Sequence, residues 1–136
     1  MAGSFQITSF SPITEAKSGD LTKTCDGEAL NTGTEDYGGV LIMNKDTQET
    51  IQAGVSDGLV PSGNSISWES AKDYLMPNKD LNCTCFVGYY VPTEGTIYAT
   101  DSRDFTIKKT GFIFPTWGYA ALGVGAVALA LMVTKK

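Results

Sequence analysis

Between residues 110 and 134 the chain carries no charged side chain, and the stretch 112–133 reads Phe-Ile-Phe-Pro-Thr-Trp-Gly-Tyr-Ala-Ala-Leu-Gly-Val-Gly-Ala-Val-Ala-Leu-Ala-Leu-Met-Val. A helix over this stretch would run about 33 Å at ~1.5 Å per residue, against a hydrocarbon thickness of about 30 Å. A domain this small has nowhere to bury such a length, so the expectation is one membrane-spanning α-helix. Phe112, Phe114, Trp117 and Tyr119 gather at its first end, where amphipathic rings sit at headgroup level, and Lys135 and Lys136 close the other. These six residues are the expected membrane-interface anchors. Pro115 fits a first helical turn, where its missing N–H costs little. Ala121 and Gly125 form a small-xxx-small pair suited to close helix packing, although Ala and Gly are also simply common in membrane helices. Lys108 and Lys109 balance Lys135 and Lys136 across the segment, so the positive-inside rule assigns no orientation.

The anchor divides the chain into a globular domain over 1–109 and an anchor with a short Lys-Lys tail over 110–136. The globular part suits one β-sandwich, which needs about 100 residues. The formal net charge is −5, and Lys and Arg never exceed pairs along the chain. Phosphate neutralisation needs a clustered basic surface, so nucleic acid is not an expected partner. There is no histidine. The commonest general base near neutral pH and the commonest zinc ligand are both missing, which argues against most hydrolase and metalloenzyme chemistry. The first residues, Met-Ala-Gly-Ser-Phe-Gln-Ile-Thr, lack the basic and apolar regions of a secretory signal, and the topology expected from them is tail-anchored.

Ahead of the anchor, Gly, Pro, Asn and Asp recur every eight to twelve residues with β-branched and aromatic residues between, the pattern of a sandwich or barrel. Strands are expected near 4–13, 20–30, 38–45, 47–56, 64–74, 81–91 and 95–108. In the clearest of them Leu81, Cys83, Cys85, Val87, Tyr89 and Val91 share one face, while Asn82, Thr84 and Gly88 lie on the other. Asn44-Lys45-Asp46-Thr47 and Val91-Pro92-Thr93-Glu94-Gly95-Thr96 read as turns, so adjacent strands should pair antiparallel. The last strand should pass through Lys108, Lys109, Thr110 and Gly111 straight into the membrane, with almost no stalk.

With Cys25 in the second strand, Cys85 in the penultimate one and Asp80 shortly before it, the domain resembles the immunoglobulin-like sandwiches of microbial and viral surface proteins. The resemblance implies an all-β, immunoglobulin-like antiparallel β-sandwich with the C-terminal transmembrane helix behind it, and it points to Cys25 and Cys85 as a candidate inter-sheet disulfide. Two features depart from the pattern. Cys83 stands where the corner tyrosine would be, and the third strand has no Trp, since Trp68 comes later. The alternative is three buried thiols acting as small hydrophobes, which a domain facing a reducing compartment favours.

No motif for catalysis stands out. Cys83 and Cys85 alone are too few for a thiolate metal site. The acidic residues Glu35, Asp36, Asp46, Asp57 and Asp101–Asp104 form no calcium loop. Asn82-Cys83-Thr84 matches the glycosylation sequon, which matters only on an exported domain. The chain is accordingly expected to be no enzyme, with neither cofactor nor metal, and to work as a structural protein between the lipid bilayer and neighbouring structural proteins, with self-association open. The topology is similar to that of the small membrane-anchored minor capsid proteins of viruses with an internal membrane. A prokaryotic cell-envelope or appendage protein is the alternative, followed by a membrane-tethered enzyme or ligand-binding domain.

Overall fold

The computed structural model describes residues 2–111. All ten elements there are strands: β1 (Phe5–Pro12), β2 (Glu15–Lys17), β3 (Leu21–Thr22), β4 (Cys25–Asn31), β5 (Tyr37–Asn44), β6 (Thr50–Val55), β7 (Ser65–Trp68), β8 (Tyr74–Leu75), β9 (Leu81–Val91) and β10 (Thr96–Thr110). They form a three-stranded sheet in the order β1-β4-β7, a five-stranded sheet in the order β2-β10-β9-β5-β6, and a separate β3-β8 pair. The two larger sheets pack face to face in a sandwich-like arrangement. Phe5, Ile7, Cys25 and Ala29 from the first meet Val40, Ile42, Leu81, Cys83, Cys85, Val87, Phe105 and Ile107 from the second in one buried core.

Strand β9 occupies the expected span, with Leu81, Cys83, Cys85 and Val87 facing the core. Thr84 on the opposite face is also covered, because its hydroxyl donates to Asp104 Oδ1 at 2.8 Å. Both expected turns are present. At the first, the Asn44 side chain accepts the backbone N–H groups of Asp46 (2.9 Å) and Thr47 (3.2 Å). At the second, Gly95 takes φ +66°, a conformation open to glycine at little cost.

Three expectations need correction. The strand expected at 20–30 is split between β3 and β4, and that at 64–74 between β7 and β8. In each case the first or last two residues leave to pair with one another, Leu21 with Leu75 and Thr22 with Tyr74. Pairing is not antiparallel throughout, because β2 lies parallel to β10. After β1 the chain crosses from one sheet to the other at Ile13 and Thr14 without reversing direction, so the new strand must run alongside β10. The last strand also outruns its expected end. Lys108, Lys109 and Thr110 are registered against Glu15, Ala16 and Lys17, which brings the paired strand to residue 110 rather than 108.

Polar groups on β10 tie the sheets together: Thr100 Oγ1 accepts the Phe5 N–H of β1 at 2.9 Å, and Asp101 Oδ2 accepts the Ile7 N–H at 2.9 Å. Asn31 is fully buried; its Oδ1 accepts Ser4 N–H and Gly33 N–H, and its Nδ2 donates to the Thr34 and Val60 carbonyls.

Candidate functional site

The alternation of β9 puts Cys83 and Cys85 on the core face, and β4 delivers Cys25 from the opposite sheet. All three are buried, free thiols. Cys25 and Cys85, the pair implied by the resemblance, are neighbours across the sandwich as free thiols. The interaction with Cys85 lowers the Cys25 thiol below its ordinary value against the opposing effect of burial, and the nearby Trp68 indole adds to it. The indole N–H itself has no well-formed hydrogen bond. The same Cys25 contact, followed by burial, raises Cys85. Burial pushes Cys83 up to about 12, with Cys25 and Asp46 adding to it. Cys83 and Cys85, both raised, are poor nucleophiles, since the thiolate is the reactive species. Among the described residues, no group of three or more His, Cys, Asp or Glu side chains is placed to hold a metal ion.

Alkylation tests this cluster. If reaction requires unfolding that costs at least ~5 kcal/mol, native Cys83 and Cys85 should react with iodoacetamide at least ~10³-fold more slowly than in denaturant. Rapid native labelling of both would contradict the register of β9.

A second feature lies where the sandwich is open. Strands β6 and β7 end their respective sheets on the same side, and a groove of about 620 Å³ separates them. Its floor is apolar, made by Val40 and Ile42 from β5, Ile51 from β6, and Ile66 and Trp68 from β7. The groove exists because of what β6 presents inward. Register partners share a face, so Gln52 lies beside Ile42 and Gly54 beside Val40 where a filled core would carry two large apolar side chains. A Cβ on Gly54 would meet nothing within 4 Å. Gln52 closes one end, its Nε2 donating to the Ala71 carbonyl (2.9 Å) and Asp73 Oδ1 (3.0 Å) while its Oε1 accepts the Thr24 hydroxyl (2.7 Å). Asp57, Glu69 and Asp73 line the groove, and no Lys or Arg does.

Searches of protein-family profiles, curated proteins and solved structures found no match to this chain. Its chemistry therefore has to be read from its own residues.

The described domain has unlike ends. At one, β10 finishes at Thr110 beside Lys17, Lys108 and Lys109; Asp80 Oδ1 accepts the Lys109 N–H at 2.9 Å, and the Thr110 carbonyl accepts the Ser18 N–H at 3.1 Å. The β3-β8 pair follows directly, exposing Leu21 (51%) and Leu75 (61%) side by side. The opposite end is built from 32–38, 54–64 and 88–98, which hold Glu35, Asp36, Asp57 and Glu94 and no basic residue. It also presents exposed Val55 and Leu59, and Tyr89 stacked on Tyr98 at 5.1 Å.

The interface residues Phe112, Phe114, Trp117, Tyr119, Lys135 and Lys136 and the packing pair Ala121 and Gly125 lie outside the described residues. Among the described residues, no helix is long and apolar enough to cross a membrane. Sequence reasoning singled out the cysteines and missed the groove. Its one legible trace was Gln52 and Gly54, polar and side-chain-less residues within a run otherwise suited to a strand.

Proposed function

We propose that this is a membrane-anchored structural protein, a minor capsid protein that ties a protein shell to an internal lipid bilayer through contacts of its β-domain. The observation that carries the reading is the exit of β10. Its pairing with β2 holds the chain rigidly through Thr110, which leaves Gly111 as the sole residue before the apolar run beginning at Phe112. A domain mounted so closely on a bilayer reaches only what lies directly above it.

The unlike ends support the same reading. Two exposed leucines at the β10 exit, Leu21 and Leu75, suit a bilayer surface, where apolar side chains find the interface; the lysines beside them are interleaved with Glu15, Asp20 and Asp80. The acidic, tyrosine-bearing opposite end suits a protein partner, since tyrosine is enriched where one partner packs on another. The strand order supports the immunoglobulin-like reading of the sandwich: β4 and β9, which carry Cys25 and Cys85, occupy the positions of the two cysteine-bearing strands, and β6 extends the second sheet at its edge.

Cutting the chain tests the anchor. Because Thr110 is still held within the sheet, the cut belongs after Gly111, and the fragment 1–111 is expected to stay folded and to remain in the supernatant when membranes are pelleted. If that fragment sediments wholly with membranes, the anchor assignment fails.

A further inference from the structure

We infer that the groove between β6 and β7 is a strand-acceptor site, which takes an extended peptide segment with alternating apolar side chains and basic flanks from a partner protein. The inference rests on the reading of the domain as a protein-contact module and is independent of the membrane anchor.

Three observations converge on this occupant. First, both walls are sheet edges. No described strand pairs with the outer side of β6 (Thr50–Val55) or of β7 (Ser65–Trp68), so each offers a row of unpaired backbone N–H and C=O groups, the template that an added strand completes. Second, the inward space is shaped for alternate side chains. A strand laid along β6 would send every other side chain over Gly54 toward Ile66 and Trp68, burying apolar surface that the sandwich leaves uncovered. Gln52 blocks the groove at the Ala71 end, so the segment must enter from the Val55–Asp57 side. Third, the lining charge is of one sign. Asp57 and Glu69 have no basic neighbour in the lining, and Glu28 continues the acidic surface past Glu69 and Trp68 on the adjoining face, where Asp26 is paired with Lys23. Lys or Arg flanking the incoming strand would meet this field. A second copy of the chain would bring the same acidic rim and a further net −5, which argues against self-association here.

The test uses the full chain in neutral phosphatidylcholine nanodiscs, with the capped peptide Lys-Val-Thr-Val-Lys-Val-Lys as the probe and an otherwise identical peptide carrying Glu for each Lys as its control. Binding is followed by fluorescence anisotropy, and its place by backbone amide NMR shifts, with empty nanodiscs as blank. The basic peptide is expected to shift residues 50–57 and 65–73 and to bind at least tenfold more tightly than the acidic one. Gly54→Trp fills open space at an ordinary backbone conformation, so it should keep the melting temperature while weakening the peptide at least tenfold. Glu69→Lys combined with Asp57→Lys should weaken it similarly and flatten its salt dependence. The proposal is overturned by binding that ignores peptide charge, by shifts elsewhere on the domain, by affinity that survives Gly54→Trp, by no binding at millimolar peptide, or by a concentration-dependent dimer that Gly54→Trp abolishes. Should full chains carrying Gly54→Trp still recruit a partner layer normally, the contact reading survives and only the groove is excluded.

Discussion

Replacing Gly88 with alanine is expected to cost the domain about 3 kcal/mol or more, lowering its melting temperature by roughly 12 °C or more at the ~4–8 °C per kcal/mol of a domain this size. Gly88 sits in the middle of β9, between Gly39 on β5 and Ala99 on β10. A Cβ there would fall 1.8 Å from the Tyr98 carbonyl oxygen, 2.6 Å from its carbon and 2.8 Å from Ala99 Cα. All three are backbone atoms, so no side chain can swing aside; relief requires parting β9 from β10 at the heart of the larger sheet. The register shift between Ala99 and Asp101 brings that backbone over the glycine. Gly54→Ala provides the contrast, since its Cβ meets nothing, and it should change stability by no more than about 0.5 kcal/mol. Thermal unfolding followed by far-UV circular dichroism checks both. A Gly88→Ala domain that melts within a few degrees of the parent would mean that β9 and β10 do not approach as described.

The contrast between these two glycines shows what the sequence alone could convey. Both were visible as glycines in strand-like runs, yet only three-dimensional pairing separates a position crowded by backbone from one facing empty space. Strand β9 was readable because its apolar positions alternate strictly from Leu81 to Val87, and a shift of one residue would have turned every one of them to solvent. The turns at Asn44 and Gly95 were readable because Asn and Gly carry their own conformational chemistry. The short β3-β8 pair was not, since two-residue strands have no period. Nor was the parallel placement of β2, which depends on a sheet crossing at Ile13 and Thr14 that leaves no mark in composition. Asp80 was noted from its position ahead of Cys85, and its bond to the Lys109 N–H gives it a task, holding the end of β10 in place. The groove escaped for the opposite reason: it is made by side chains that are too small or too polar for a core, and a missing side chain has no signature until its neighbours are known.

On the proposed linking function, lengthening the junction between the β-domain and the apolar segment is expected to leave folding and membrane insertion intact while reducing attachment of the partner layer by about tenfold or more. The sequence leaves Lys108 to Gly111 as the connector, and the structure shortens it. Lys108, Lys109 and Thr110 are registered on β2, Asp80 accepts the Lys109 N–H, and Ser18 donates to the Thr110 carbonyl. What remains is Gly111, at φ +63°, between a fixed strand and the apolar run that begins at Phe112. A Gly/Ser insert of roughly ten residues after Gly111 would replace this with a coil of about 16–19 Å root-mean-square length. Among the described residues, the hydrogen bonds that close β10 all lie at or before Thr110, so an insert after Gly111 leaves them in place. The domain instead samples a much larger volume, and the effective concentration of its contact surface at the shell falls accordingly. The measurement is the fraction of shell protein that stays with the membrane when source particles are mildly dissociated, compared between parent and insert. If the insert attaches the shell as well as the parent does, and substitution of a surface carboxylate instead abolishes turnover of some small molecule, the linking function is wrong and a tethered enzyme takes its place.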